Sequence, residues 1–139
     1  ITPLQLARAY CVFANGGWLV TPHLADQGLD WTAPSRRSKL PIKPSTLAKI
    51  REGLRKVVED GTGYGLNGEG IPPSAGKTGT AEDSTGRPDH AWFASYAPYP
   101  NGEIVVVAVA QNTPGGGSVH ALPMAKKVIE VWNRNRKQT

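Results

Sequence analysis

The sequence predicts an α+β fold in which three antiparallel strands pack against helices. Apolar residues recur at helical spacing near both ends of the chain. Between residues 76 and 110, three short segments instead have the composition and length of strands. A short turn at residues 98–102 separates the second segment from the third, which favours an antiparallel hairpin. Strands bounded by helices in this way indicate an α+β layer.

The first predicted helix begins with a capping box. Thr2 stands at the N-cap, Pro3 occupies the first helical position, and Gln5 is placed to bond back to the cap. Residues 15–17, Asn-Gly-Gly, end this helix. Because the first residue directly precedes a helix cap, we expect this chain to be part of a longer protein.

A second helix is predicted in the first half of the chain. Residues 18–24 form a short extended segment, and residues 25–43 form a polar, proline-containing connection. Ser45 is expected to cap the helix, whose apolar positions share one face. The helix ends at residues 60–61, and a flexible glycine-rich loop follows at residues 61–65.

The first part of the chain, residues 1–70, is therefore predicted to be mainly helical, and residues 71–139 are predicted to hold the sheet and a closing helix. The predicted strands are Gly76–Glu82, Ala91–Ala97 and Ile104–Ala110. The third strand is continuously apolar, as expected when both faces of a strand are covered. The apolar face of the closing helix is marked by Leu122, Ala125, Ile129 and Trp132.

Composition restricts the class of function. The 139 residues carry a formal charge of +5, but the basic residues are spread along the chain, which argues against a nucleic-acid partner. Cys11 is the only cysteine, so it forms neither an internal disulfide nor a cysteine-based metal site. His23, His90 and His120 lack the short spacings of metal ligands, and we predict neither a metal nor a cofactor. No stretch reaches the roughly 18 apolar residues of a membrane span, so any anchor is expected outside this chain.

Two motif matches near the middle of the chain are rejected. The stretch from Gly70 to Lys77 looks like a phosphate loop, but five residues separate its glycines where that motif has four. Pro72 and Pro73 also remove two backbone donors. Ser74 and Lys77 match the S-x-x-K nucleophile motif, which works on a helix where both residues share a face. The preceding prolines favour extended backbone instead, so we expect no nucleophile here.

The run Lys77-Thr78-Gly79-Thr80, followed by Ala-Glu, resembles the KTG box of the penicillin-binding transpeptidases and serine β-lactamases. Further segments resemble class B penicillin-binding proteins in the order of that family: residues 1–7, 14–17, 22–24, 75–82, 90–93, 96–98 and 115–118. The glycine-rich turn at residues 115–118 looks most like the elongation-type member. The resemblance covers essentially the whole chain, but the S-x-x-K and S-x-N motifs have no credible counterpart.

This resemblance implies the C-terminal portion of a penicillin-binding/serine β-lactamase-like fold. It also implies a D,D-transpeptidase that cross-links peptidoglycan stem peptides by acyl-serine transfer and is acylated by penicillin. By position, Lys77 supplies positive charge, and the hydroxyls of Thr78 and Thr80 hold the carboxylate of substrate or antibiotic. The backbone N–H of Thr80 is implied as an oxyanion-hole donor. Gly79 leaves room for the substrate backbone along the strand.

Glu82, His90 and Trp92 are possible cleft residues. The resemblance places His90 and Trp92 on the strand beside the KTG strand, although a turn-capping histidine and a packed tryptophan are the alternative readings. Glu82 and Asp83 are adjacent on a strand and face opposite ways, which argues against a paired-carboxylate mechanism.

Three functions remain open from the sequence. The leading one is part of a transpeptidase, inactive alone, whose partners are the missing N-terminal half, a stem peptide or β-lactam, and cell-wall synthesis proteins. It would act on the periplasmic face of the inner membrane. The alternatives are a non-catalytic module that binds a peptide or partner through its sheet edge and a basic nucleic-acid binder. The apolar third strand also predicts self-association through a free edge.

Overall fold

The computed structural model describes residues 1–24 and 36–138. Its longer helices are α1 (Pro3–Ala14), α2 (Pro44–Glu59) and α4 (Ala121–Arg136), and its shorter ones are α3 (Gly116–Val119) and a 3-10 helix (Tyr64–Leu66). Its strands are β1 (Trp18–Val20), β2 (Arg37–Lys39), β3 (Ala75–Ala81), β4 (His90–Ala97) and β5 (Ile104–Ala110). Most of the predicted polar connection, residues 25–35, lies outside the described residues.

Strands β3, β4 and β5 form an antiparallel sheet in that order, which confirms the predicted three-stranded sheet and its hairpin. Each predicted strand agrees with the observed one to within one residue at each end. The central strand β4 is almost wholly buried. In the register, Gly79 of β3 lies opposite Trp92 of β4. The KTG residues therefore lie on an edge strand backed by a rigid neighbour.

Helices cover both faces of this sheet. On one face, Phe93 packs in a core with Ile129 of α4, and both side chains are fully buried. On the other face, Tyr96 packs in a second core with Tyr10 of α1. The residues of β5 alternate between these two cores, which explains why the whole strand is apolar.

The two longer helices of the first half begin differently. The capping box of α1 forms as predicted, since Gln5 N–H donates to Thr2 Oγ1 at 3.2 Å and Thr2 N–H donates to Gln5 Oε1 at 2.9 Å. The predicted cap at Ser45 is wrong, because α2 begins at Pro44 with Lys43 as its N-cap. Proline suits the first helical position, since its φ is already helical and it has no N–H to leave unpaired.

Three short elements were not predicted. Strand β2 pairs with β1 in a separate two-stranded sheet, although its Arg-Ser-Lys sequence shows no apolar alternation. Helix α3 is a single turn inside the glycine-rich segment. The two residues at its start, Gly115 and Gly116, have positive φ angles of 103° and 72°, which favour glycine. The predicted loop at residues 61–65 is correct only for its first part, because residues 64–66 form the 3-10 helix, which the bond from Leu66 N–H to the carbonyl of Gly63 at 2.9 Å closes. In the described parts of the chain, no helix has the length and hydropathy needed to cross a membrane.

Candidate active site

The candidate site is the outer edge of β3. Within residues 1–24 and 36–138, β3 pairs with β4 alone, so its other edge has no strand partner. Lys77 and Thr80 are exposed on this strand, and Thr78 and Gly79 are half-buried. The structure therefore presents the four residues of the motif along one accessible strand edge.

The hydroxyls of Thr78 and Thr80 share one face of β3, because alternate residues of a strand point the same way. The Oγ1 atom of Thr78 lies 2.7 Å from Oγ1 of Thr62 in the connection that follows α2. Either hydroxyl can donate in this pair, which leaves the other hydrogen free for an anionic ligand. Sequence reasoning missed Thr62, because nothing in the glycine-rich connection marks it as a neighbour of the motif.

The ammonium group of Lys77 lies beside the same strand. Its Nζ donates to the carbonyl oxygen of Thr78 at 3.0 Å. None of the ion pairs formed among the described residues includes Lys77. Its charge is therefore not neutralised within this part of the chain and can attract an anionic ligand.

Helix α4 holds the segment that carries Thr62. The Nζ atom of Lys126 donates to the carbonyl oxygens of Gly65 at 2.8 Å and Asn67 at 2.6 Å. The side-chain amide of Asn67 in turn donates to the carbonyl of Val58 at 2.5 Å. These bonds tie the connection between α2 and β3 to the rest of the fold, and so fix the position of Thr62 against Thr78.

The glycine-rich turn packs directly onto β3. A Cβ atom at Gly117 would lie 2.2 Å from the carbonyl oxygen of Trp92 and 2.8 Å from that of Gly79. A Cβ atom at Gly116 would lie 2.8 Å from Oγ1 of Thr80. Only glycine allows so close an approach. At Gly79, a Cβ atom would lie 3.3 Å from Cβ of Trp92. Cross-strand packing is therefore a second reason for glycine at this position, in addition to the predicted room for the substrate backbone.

The three possible cleft residues do not form one cluster. Glu82 is exposed just beyond the end of β3. His90 Nδ1 accepts a hydrogen bond from the backbone N–H of Asn112 at 3.1 Å, which matches the turn-capping alternative. Trp92 lies on the central strand, and its buried Nε1 has no hydrogen-bond partner among the described residues. Their assignment to a cleft stays a prediction.

Ser74 and Lys77 do not form a nucleophile pair in this structure. Ser74 is 1% exposed and donates to the carbonyl of Pro72 at 2.7 Å. Lys77 follows on an extended strand rather than on the same helical face. Across the residues that the structure covers, no group of three or more His, Cys, Asp or Glu side chains is arranged to hold a metal ion.

Comparison with known proteins gives a consistent set of relatives. A family model described as the penicillin-binding protein transpeptidase domain matches residues 1–130. The peptidoglycan D,D-transpeptidase MrdA of Haemophilus influenzae is 32% identical over 97% of this chain and 24% of its own length. The crystal structure of Pseudomonas aeruginosa PBP2 in complex with WCK 5153 superposes with a TM-score of 0.81 at 32% identity, over 95% of this chain and 30% of that one.

A further solved structure, the complex between PBP2 and MreC from Helicobacter pylori, gives a TM-score of 0.74 at 25% identity. That match covers 99% of this chain and 24% of the other. This chain thus spans about a quarter of the length of the curated relatives it matches.

Proposed function

Since this chain belongs to the transpeptidase family of penicillin-binding proteins, we propose that it supplies the KTG wall of a peptidoglycan D,D-transpeptidase active site. The membership confirms the resemblance to class B penicillin-binding proteins drawn from the sequence. Relatives named MrdA, together with a PBP2 structure, agree with the elongation-type resemblance. The chain is part of a transpeptidase domain, and the activity described here is that of the complete enzyme.

The observation that carries this proposal is the arrangement of the edge strand. Thr78 and Thr80 place two hydroxyls on one face of β3. Lys77 precedes them on the same strand, its Nζ donates to the carbonyl oxygen of Thr78, and it forms no ion pair among the described residues. A stem peptide ends in a carboxylate, and penicillin also carries one. Hydroxyl donors next to a positive charge are suited to hold such a group, and charge-assisted hydrogen bonds are roughly twice as strong as neutral ones.

In the proposed reaction, a serine of the remaining domain attacks the carbonyl carbon of the last peptide bond of the stem peptide. That C–N bond breaks, the terminal residue leaves with the serine's proton on its amine, and an acyl-serine remains. The backbone N–H of Thr80 donates to the developing oxyanion, together with the amide of the nucleophile itself. Lys77 stabilises the negative charge that develops in this step. An amine of a second stem peptide then attacks the ester carbonyl, the bond to the serine oxygen breaks, and the proton lost by the amine returns to the serine, so that an amide cross-link is left. The buried Ser74 supports a nucleophile supplied by another segment.

The test is acylation of the complete transpeptidase by benzylpenicillin, with the second-order rate constant measured for variants of the motif. We expect Lys77→Ala to lower this constant roughly 100-fold or more, because it removes charge from a site that stabilises an anion. Thr80→Ala should have the smaller effect, about tenfold, since its backbone donor remains and only the hydroxyl contact is lost; this is the low end of the range of about 1.5 to 3 kcal/mol, roughly 10- to 150-fold, that a hydrogen bond to a charged group is worth.

Lys127→Ala is the matched control for the loss of a lysine charge. Lys127 lies on α4 and pairs with Glu130, and its side chain is exposed. This control should acylate at the wild-type rate. Equal and negligible effects of Lys77→Ala and Thr80→Ala would show that β3 is only a structural edge.

The partners follow from the same proposal. The ligand is a stem peptide or a β-lactam. The N-terminal half of the domain completes the sheet by pairing with the edge of β5 that has no strand partner among the described residues. An apolar groove at that edge supports this pairing, and Met124 and Val128, which line it, are each 49% exposed.

A cell-wall synthesis protein is a further partner, as in the complex of Helicobacter pylori PBP2 with MreC. The site would lie at the periplasmic face of the inner membrane, with the anchor in another segment of the protein.

A further inference from the structure

A carboxylate that accepts several hydrogen bonds lies just beyond the KTG strand. The side chain of Asp83, two residues past the end of β3, is only 5% exposed. It accepts hydrogen bonds from the backbone N–H of Thr85 at 2.7 Å and from the side-chain amide of Asn112 at 2.9 Å. The hydrogen bond from the Thr85 hydroxyl, followed by these two, holds the pKa of the Asp83 carboxyl below its usual value. A carboxylate whose hydrogen bonds are satisfied in this way orders the groups around it.

Asn112 joins three segments at this point. Its side-chain amide donates to Asp83 and also to the carbonyl of Pro88 at 3.0 Å, and its backbone N–H donates to His90 Nδ1. Its φ of 51° lies in the left-handed region, which asparagine tolerates better than most residues. The exit from β5 is thereby fastened to the connection between β3 and β4.

The segment that Asn112 fastens is the one that reaches Thr80. It runs from Asn112 into the glycine-rich turn, where Gly116 leaves no room for a side chain beside Oγ1 of Thr80. Further bonds hold its path, from Thr113 N–H to the carbonyl of Asp89 at 2.9 Å and between His120 Nε2 and the carbonyl of Pro114 at 2.6 Å. The bond between Asp83 and Asn112 therefore joins the two segments that flank the Thr80 side chain: the end of β3 and the glycine-rich turn.

We propose that Asp83 and Asn112 are positioning residues for the Thr80 hydroxyl. Their hydrogen bond keeps the glycine-rich turn against Thr80 and so confines its side chain to the rotamer that faces the ligand carboxylate. This inference rests on the proposed function, in which that hydroxyl binds the carboxylate. Without the bond, the turn withdraws and the Thr80 hydroxyl samples other rotamers.

The variant Asn112→Gly tests this role, because glycine keeps the left-handed backbone and removes the side chain that bonds Asp83 and the carbonyl of Pro88. In the complete transpeptidase, it should lower the second-order rate constant for acylation by benzylpenicillin roughly three- to tenfold, because averaging over the rotamers removes most of the contact that Thr80→Ala removes entirely. In a Thr80→Ala background, the same change should alter the rate constant less than about twofold. The double variant, Asp83→Ala with Asn112→Gly, should lower the acylation rate constant no further than either change alone.

Arg87→Ala is the control within the same cluster. Arg87 pairs with Asp83 at 3.2 Å and donates to the hydroxyl of Thr85 at 2.9 Å, but its side chain is 64% exposed and neither of these bonds reaches the turn. This variant should acylate at the wild-type rate. If Asn112→Gly lowers the acylation rate constant by the same factor in the wild type and in the Thr80→Ala background, the proposal is overturned, because the effect would then come from a general loosening of the fold.

A second measurement does not depend on activity. The χ1 rotamer population of Thr80 is measured from three-bond couplings to its labelled methyl group in the same protein. We expect a single rotamer in the wild type and in Arg87→Ala, and rotamer averaging in Asn112→Gly. An unchanged Thr80 rotamer in Asn112→Gly would refute the positioning role whether or not penicillin acylates the enzyme. A wild-type enzyme that penicillin does not acylate would instead contradict the proposed function alone.

Discussion

Replacing Gly117 by alanine should test how tightly the glycine-rich turn is fitted to the KTG strand. The new methyl group would lie 2.2 Å from the carbonyl oxygen of Trp92, and 2.8 and 3.0 Å from the backbone oxygen and nitrogen of Gly79. All three are backbone atoms of paired strands, so no side-chain rotation relieves the overlap. Overpacking of this kind costs about 1 to 3 kcal/mol, and we expect the upper end here.

For a chain of this size, 1 kcal/mol corresponds to about 3 to 5 °C in Tm, so Gly117→Ala should lower Tm by roughly 10 °C. The assay is thermal unfolding of the 139-residue chain at low protein concentration, followed by circular dichroism, with urea unfolding to obtain the free energy of unfolding. Acylation of the complete enzyme should fall as well, because β3 must move to admit the methyl group.

Gly53→Ala provides the matched control, because it makes the same chemical change with the opposite expected sign. Gly53 lies inside α2, and a Cβ atom there would meet nothing within 4 Å. Alanine should therefore raise the free energy of unfolding by about 0.5 to 1 kcal/mol. If Gly117→Ala is as stable as the wild type, the turn is not packed on β3 as described and this reasoning fails.

Three further predictions concern the chain itself. The isolated chain should form no acyl-enzyme with excess penicillin, because Ser74 is buried and has no lysine on the same helical face; mass spectrometry checks this, and a stoichiometric adduct on any serine contradicts it. Hydrogen bonds lower the pKa of Asp83 from its ordinary value of 3.8. Its contribution to the free energy of unfolding should therefore be complete above about pH 3.8 and be lost as the pH falls through the lowered pKa. Urea unfolding between about pH 5 and pH 2 should then show a shallower loss of stability in Asp83→Asn than in the wild type. Because the edge of β5 at Ile104–Ala110 is apolar and has no strand partner among the described residues, the isolated chain should self-associate; a monomer at high concentration in sedimentation, with freely exchanging amides in that strand, would contradict this.

The sheet was predictable because its signals are local. The apolar run of β5 and the turn before it mark both the strand and the hairpin, and the spacing of Leu122, Ala125 and Ile129 marks α4. The pairing of β2 with β1 was not predictable, because three polar residues show no alternation and find their partner only through the tertiary fold. The start of α2 was misplaced because Pro44 sets the first turn, whereas Ser45 only resembles a cap.

The candidate site was predictable as a motif but not as an arrangement. The sequence places Lys77, Thr78 and Thr80 on one strand, and their roles come from the family resemblance. The contact between the hydroxyls of Thr62 and Thr78 joins residues 16 apart and has no sequence pattern. The glycines of the turn are visible in the sequence, but only the fold shows that Gly116 lies against Thr80.

The most direct test of the central claim is a crystal structure of the complete transpeptidase acylated by benzylpenicillin. We expect the carboxylate of the bound antibiotic to lie about 3 Å from the hydroxyls of Thr78 and Thr80, with the ammonium of Lys77 nearby and the acyl group on a serine outside this chain. An acyl group on a serine of this chain, or a carboxylate bound away from β3, would contradict the claim that this chain forms the substrate-binding wall.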